Sequence, residues 1–327
     1  MDNPNSVRFE EVPTRQFAQQ QDGILVFDTE YFRPGRVASH LVWHNGQGAL
    51  VDVGPAAAVP VVLKALAAHQ IDPAEIQTIF VTHVHLDHAG AAGHLLEACP
   101  NASVVVHPRG AKHLVDPTRL MQGALAVFGE TVFSKHIGSM VPVAEDRVLI
   151  AEDGATFDLA GRSLKVLHTE GHARHHYCLV DVDFGGIFTG DSFGISYREL
   201  DTDAGPFVFP ATAPVQFDLP AAHAAIERIM NQAPQKIHLA HFGQLDCEQR
   251  LADDLHRDLD LLVELARKHA NSKNRTKVLH AEIEDCLFQR IRDHGYAGSD
   301  AELHALLDFD VAINVQGLEV WLDRMQG

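Results

Sequence analysis

The stretch Thr78-Ile-Phe-Val-Thr-His-Val-His-Leu-Asp-His88 places three histidines and an aspartate in the pattern H-x-H-x-D-H directly behind a β-branched, apolar run. Ile79, Phe80 and Val81 read as a short buried strand, and Thr82 to His88 as the turn leaving its carboxyl end. Alternation sends His83 and His85 to one side, and the turn swings Asp87 and His88 round to face a second position. Four ligand-capable side chains in so short a stretch are too dense for solvated loop histidines, so the segment reads as a metal site at a strand end. Any fold for this chain must therefore bring a sheet edge to that site.

The remaining patterns supply the sheet. Val7-Arg-Phe-Glu-Glu-Val12 and Gly23-Ile-Leu-Val-Phe-Asp28 read as strands, and residues 38–44 and 47–54 as a hairpin turning at Asn45-Gly46. A helical pattern follows over residues 55–69, and another over about 89–98, opened by small residues that allow close packing under the site. Residues 102–107 are a strand, residues 108 to about 140 are helical, and strands recur at 148–150, 155–159, 164–168, 177–182 and 186–189. After a helix over 219–232 and a strand over 236–240, the chain turns almost purely helical, with amphipathic patterns at 248–268, 278–293 and 300–307. The class is α/β, with two face-to-face sheets covered by helices, and the expected division is a catalytic domain over 1–244 and a helical C-terminal subdomain over 245–327.

Charge narrows the partners. With 26 basic against 44 acidic residues the net charge is −18, which disfavours nucleic acid. No apolar run spans a bilayer and the amino terminus lacks a secretory pattern, so the expectation is a cytoplasmic protein without a membrane partner, acting on a small molecule, with a homodimer left open. Cys99, Cys178, Cys247 and Cys286 form no C-x-x-C pair and signal neither a disulfide framework nor a thiolate zinc site.

Downstream lie Thr169-Glu-Gly-His172, Phe188-Thr-Gly-Asp191-Ser and Leu239-Ala-His241-Phe-Gly. Together with His83-x-His85-x-Asp87-His88, this ordered set resembles the metallo-β-lactamase superfamily over residues 24–243, and its αββα sandwich is the fold the resemblance implies. By that resemblance His83, His85 and His172 bind one metal, Asp87, His88 and His241 bind a second, and Asp191 bridges them with a hydroxide. Two divalent ions are implied, with zinc the first choice and iron or manganese compatible with the same donors. The nearest pattern is that of glyoxalase II, although Glu170, Ala173 and His175 depart from it and no basic cluster for a glutathione carboxylate is visible. The implied activity is a dinuclear hydrolase of a small ester, thioester or lactone, with Asp87 assisting proton movement. A metal-retaining sensor or partner-binding protein with little turnover and a mononuclear iron persulfide dioxygenase are the alternatives.

Other residues read as supports. Asp52 is expected to brace the metal-binding loop, and His175 and His176 to hydrogen-bond beside the metals. His107, His168 and His238 read as packed histidines, and Ser192 has no base to make it a nucleophile. Residues 205–214, rich in proline and phenylalanine, read as a stiff apolar lid that lines a pocket with Phe193 and Tyr197, or else packs on the helical tail. The tail itself is expected to pack over this lid and narrow the entrance.

Overall fold

The computed structural model describes residues 22–212 and 215–326; the strand expected over residues 7–12 lies outside them. It contains two six-stranded sheets. One is built in sequence order from β1 (Ile24–Asp28), β2 (Ala38–His44), β3 (Gln47–Val51), β4 (Ile76–Val81), β5 (Ser103–Val106) and β6 (Val148–Ile150). The other contains β7 (Thr156–Leu159), β8 (Arg162–His168), β9 (Tyr177–Asp181), β10 (Gly186–Gly190), β11 (Lys236–Leu239) and β12 (Gly243–Asp246).

Hairpins make the antiparallel pairs, whereas β3–β4, β4–β5, β5–β6 and β10–β11 run parallel. Parallel neighbours require a crossover, and helices supply it. α1 (Val59–Ala68) follows β3; α2 (Leu86–Ala89) and α3 (Ala92–Ala98) follow β4; α4 (Ala111–Val115) and α5 (Thr118–Val132) follow β5; α6 (Leu219–Met230) precedes β11.

Strand β4 shows why the layers form. Ile79 and Val81 face a cluster containing Val62 and Leu66 of α1 and Leu95 of α3. Phe80, on the opposite face, packs among Tyr177, Leu179 and Phe188 of the second sheet. A strand buried on both faces reads as a continuous apolar run, which is what Ile79-Phe80-Val81 is. Each such side chain contributes about 1.5–3 kcal/mol of burial. The second sheet's outer face joins Ile237 and Leu239 to α6 and to three further helices, α7 (Gln249–His269), α8 (Arg275–Asp293) and α9 (Asp300–Gln326). The architecture is αββα with a helical C-terminal region. Among the described residues no helix is long and apolar enough to cross a membrane.

Three details differ from the sequence reading. The helix expected over 89–98 is two pieces, because α2 forms at once after His85 and carries Asp87 and His88. A Cβ on Gly90, just beyond it, would sit 2.4 Å from the Leu86 carbonyl oxygen and 2.8 Å from the Ala56 nitrogen, so two backbones meet there. Strand β12 continues the sheet past Gly243; with one buried side chain in every two, four residues give too little pattern to read. Finally, α9 extends to Gln326 rather than stopping near Leu307. Its buried face there includes Asp310 and Asn314 as well as Val311, Val315 and Leu318, and those polar residues break the apolar stripe.

Candidate metal centre

The carboxyl ends of β3, β4, β10 and β11 point to one edge of the sandwich, and the seven expected site residues meet there. His83 and His85 leave β4, Asp87 and His88 sit on α2, His172 follows β8, Asp191 follows β10, and His241 follows β11. His83, His85, His172 and Asp191 offer donor atoms within 4.8 Å of one another, and so do Asp87, His88 and His241.

Asp191 lies between these groups. Its Oδ2 is 3.2 Å from His172 Nε2 and 3.9 Å from His83 Nε2. Its Oδ1 is 3.3 Å from His88 Nε2 and 3.5 Å from His241 Nε2. Asp87 Oδ2 completes the second group, 3.8 Å from His88 Nε2 and 3.7 Å from His241 Nε2. In the first group His85 Nδ1 lies 2.9 Å from His83 Nε2 and 3.2 Å from His172 Nε2.

The outer nitrogens are held by the fold. His88 Nδ1 donates to Asp52 Oδ2 (2.9 Å), His172 Nδ1 to the Ala211 carbonyl (2.9 Å) and His241 Nδ1 to the Arg36 carbonyl (3.0 Å). Each of these bonds fixes a tautomer that leaves Nε2 as a lone pair toward the centre. Asp52, with a φ of 47°, also accepts the Thr82 N–H and hydroxyl at 2.8 Å each, tying the ends of β3 and β4 together. His176 Nε2 accepts the Asp191 N–H at 3.2 Å. Gly190, at φ 48°, makes that contact possible, since a Cβ would lie 2.6 Å from both His176 Nε2 and Thr82 Oγ1.

Electrostatics follow from this crowding. Burial, reinforced by neighbouring imidazoles, holds His83 and His85 well below the ordinary histidine range, the neutral form a metal requires. Burial also disfavours charge on His88, but Asp191, Asp87 and Asp52 outweigh it and raise that imidazole well above its usual value. For Asp191, burial is outweighed by His88, His241 and His172, and the carboxyl is held well below the carboxylate range. His88 Nε2 and Asp191 Oδ1 are buried without a hydrogen-bond partner among the described residues. Buried polar atoms in that state are costly unless a cation meets them, so the residues fit a bound metal ion.

The groups open onto a cavity of about 460 Å³. Its walls include Leu120, Ala124 and Phe128 of α5 and Phe309, Ile313 and Asn314 of α9. Asn314 Oδ1 accepts the Thr212 N–H (2.7 Å) and its Nδ2 donates to the Pro210 carbonyl (3.1 Å), so the tail does pack on the lid. The lid's phenylalanines point elsewhere. Phe207 and Phe209, with Phe193 and Tyr197, are buried in the core behind the site rather than lining it. The hydroxyl of Tyr197 bonds Asp310, which pairs at 2.7 Å with Arg36. The tail is expected at the entrance, but Arg36 and the particular α9 residues that wall the cavity do not stand out in the sequence; an aspartate and an asparagine on one helix face are the available sign. His107 and His168 pack ring against ring with centroids 4.2 Å apart, and His238 stacks on Phe188, so all three are packed histidines. His175 lines the cavity and accepts the Val84 N–H through Nδ1 at 3.3 Å.

An αββα sandwich carrying two histidine–carboxylate donor groups at its strand ends defines a class of metal-binding proteins. The model of the metallo-β-lactamase superfamily matches residues 32–241, and the chain belongs to that superfamily. It is 30% identical over 172 residues to the metallo-β-lactamase fold-containing protein ST1585 of Sulfurisphaera tokodaii, an alignment covering 52% of this chain and 61% of that one. It is 29% identical over 152 residues to hydroxyacylglutathione hydrolase of Salmonella typhi, covering 45% of this chain and 44% of the enzyme. The chain thus spans less than two thirds of these relatives. Among solved structures, the metallo-β-lactamase family protein TTHA1429 of Thermus thermophilus superposes with a TM-score of 0.64 at 20% identity, covering 93% of this chain and 94% of that one.

Proposed function

We propose that the protein is a dinuclear metal-dependent hydrolase acting on a small carboxylic ester, thioester or lactone. The observation that carries this reading is Asp191, whose two oxygens face two separate donor groups, 3.2 Å from His172 and 3.3 Å from His88. His83, His85 and His172 would hold one ion, Asp87, His88 and His241 the other, with Asp191 shared. A bound pair of divalent cations supplies Lewis-acid polarisation of a carbonyl and a water acidic enough to attack at neutral pH. The chain's own residues do the rest. Asp52, Ala211 and Arg36 orient the imidazoles, Asp87 presents a carboxylate to the cavity where it can hold a proton, and the apolar walls from α5 and α9 receive the substrate body and exclude water. A mononuclear reading leaves Asp87, His88 and His241 without a role. Thioesters belong in the test because the Salmonella relatives are hydroxyacylglutathione hydrolases.

The experiment is metal analysis of the purified chain, then a screen of esters, thioesters, lactones and phosphodiesters. Two ions per chain and turnover of a carbonyl substrate are expected; one tightly held iron, or phosphodiester turnover alone, overturns the proposal. His241→Ala should lose one ion, keep the other and leave the circular dichroism spectrum unchanged. Full retention of both ions moves the assignment to another residue.

The tail gives a further prediction. Phe309 and Ile313 narrow the cavity, so Ile313→Ala should shift selectivity from short toward longer acyl chains by about tenfold, the scale set by a methylene or two in an apolar pocket. The measurement is kcat/KM across an acyl series; unchanged ratios would mean that α9 has no part in selection.

A further inference from the structure

A second group of histidines lies away from the cavity, where α6 crosses α7. His223 and Glu227 are one turn apart on α6, and His256 and Asp260 are one turn apart on α7. Their contacts cross between the helices: His223 Nε2 lies 3.0 Å from Asp260 Oδ1, and His256 Nε2 lies 3.1 Å from Glu227 Oε1. The rings meet edge to edge, with centroids 4.9 Å apart and planes 19° from parallel. Their remaining nitrogens, both Nδ1, face each other at 2.6 Å.

A carboxylate can only accept, so each Nε2 must carry the proton it donates, and each Nδ1 of a neutral ring is then a bare lone pair. Two lone pairs held head-on repel unless a positive charge lies between them. We propose that this charge is a divalent transition-metal ion, zinc or a metal of similar preference, bound by His223 and His256 across the α6–α7 interface. A histidine whose far nitrogen is anchored by a carboxylate is the arrangement that orients an imidazole for a metal. Two carboxylates also match a dication, whereas a single shared proton leaves the group negative on a chain already at −18. The side chains of His223 and His256 are 27% and 24% exposed, so the ion has a path from solvent and water can complete its shell. In a tetrahedral shell, bond lengths of about 2.0 Å would set the two nitrogens about 3.3 Å apart, so the rings need to tilt and open by under about 1 Å, which surface side chains can do. Such an ion clamps the first helix of the C-terminal region to the helix preceding β11.

Equilibrium dialysis of the full chain against micromolar Zn2+, followed by metal analysis, tests the site. The unmodified chain should hold one ion more than His256→Ala or His223→Gln. Asp260→Asn should bind this ion about 10–100-fold more weakly, as expected when an anchoring carboxylate is lost. Zn2+ should also raise the melting temperature of the unmodified chain more than that of His256→Ala, a readout independent of catalysis. Circular dichroism confirms that the variants fold. Equal ion counts in the unmodified chain and both histidine variants overturn the site, and they are what a shared proton would give.

Discussion

Asp191→Ala should bind at most one metal ion per chain and lose about three orders of magnitude in turnover of any carbonyl substrate. The reason is geometric. Among the described residues Asp191 is the side chain whose oxygens reach both donor groups, so its removal takes a carboxylate oxygen from each. Metal-assisted hydrolysis draws several kcal/mol of its barrier lowering from the ions, and about 4 kcal/mol corresponds to that thousandfold change. Metal analysis and steady-state rates on the same preparation make the measurement. A variant retaining two ions and its rate would show that the two groups do not share a ligand, and the dinuclear reading would fall with it.

The second large effect is expected far along the chain. Asp310→Ala should destabilise the protein by about 3–5 kcal/mol, because it strands Arg36 as an unpaired buried charge. Arg36 and Asp310 are 2.7 Å apart, with side chains only 5% and 6% exposed, and Tyr197 donates to the same carboxylate. The pair also bears on the metal centre, since the carbonyl of Arg36 accepts from His241 Nδ1. Metal lost from the variant should therefore come first from the group containing His241. Replacing both charges, as Arg36→Met with Asp310→Leu, should recover most of the stability, since an apolar pair needs no counter-charge. Denaturant titration of the single and double variants measures both effects; a single variant as stable as the unmodified chain would show that Arg36 finds solvent or another partner.

Both effects sit at the border between what local pattern reveals and what it hides. His83, His85, Asp87 and His88 are ligands-in-waiting within one strand-turn segment, and local geometry alone brings them near each other. His172, Asp191 and His241 are weak signals taken singly, and they are legible only through the resemblance of the ordered motif set to the metallo-β-lactamase superfamily. The hairpin at Asn45-Gly46 and the doubly buried β4 follow from turn chemistry and from an apolar run. The lid is where pattern fails: its phenylalanines are apolar enough for either a pocket or a core, and only packing decides between them.

What the sequence by itself determined is most of the strands and helices and the His83–His88 segment at a strand end, because these depend on residues close together along the chain. The tertiary structure alone decided what surrounds that chemistry. Arg36 meets Asp310, Ala211 orients His172, and Asn314 fastens the lid, each across a separation that no local periodicity records. Burying Asp310 and Asn314 costs their hydration unless partners wait in place, and those partners come from distant segments. Local pattern therefore reads such positions as solvent-facing, and only the assembled fold shows that they wall the cavity.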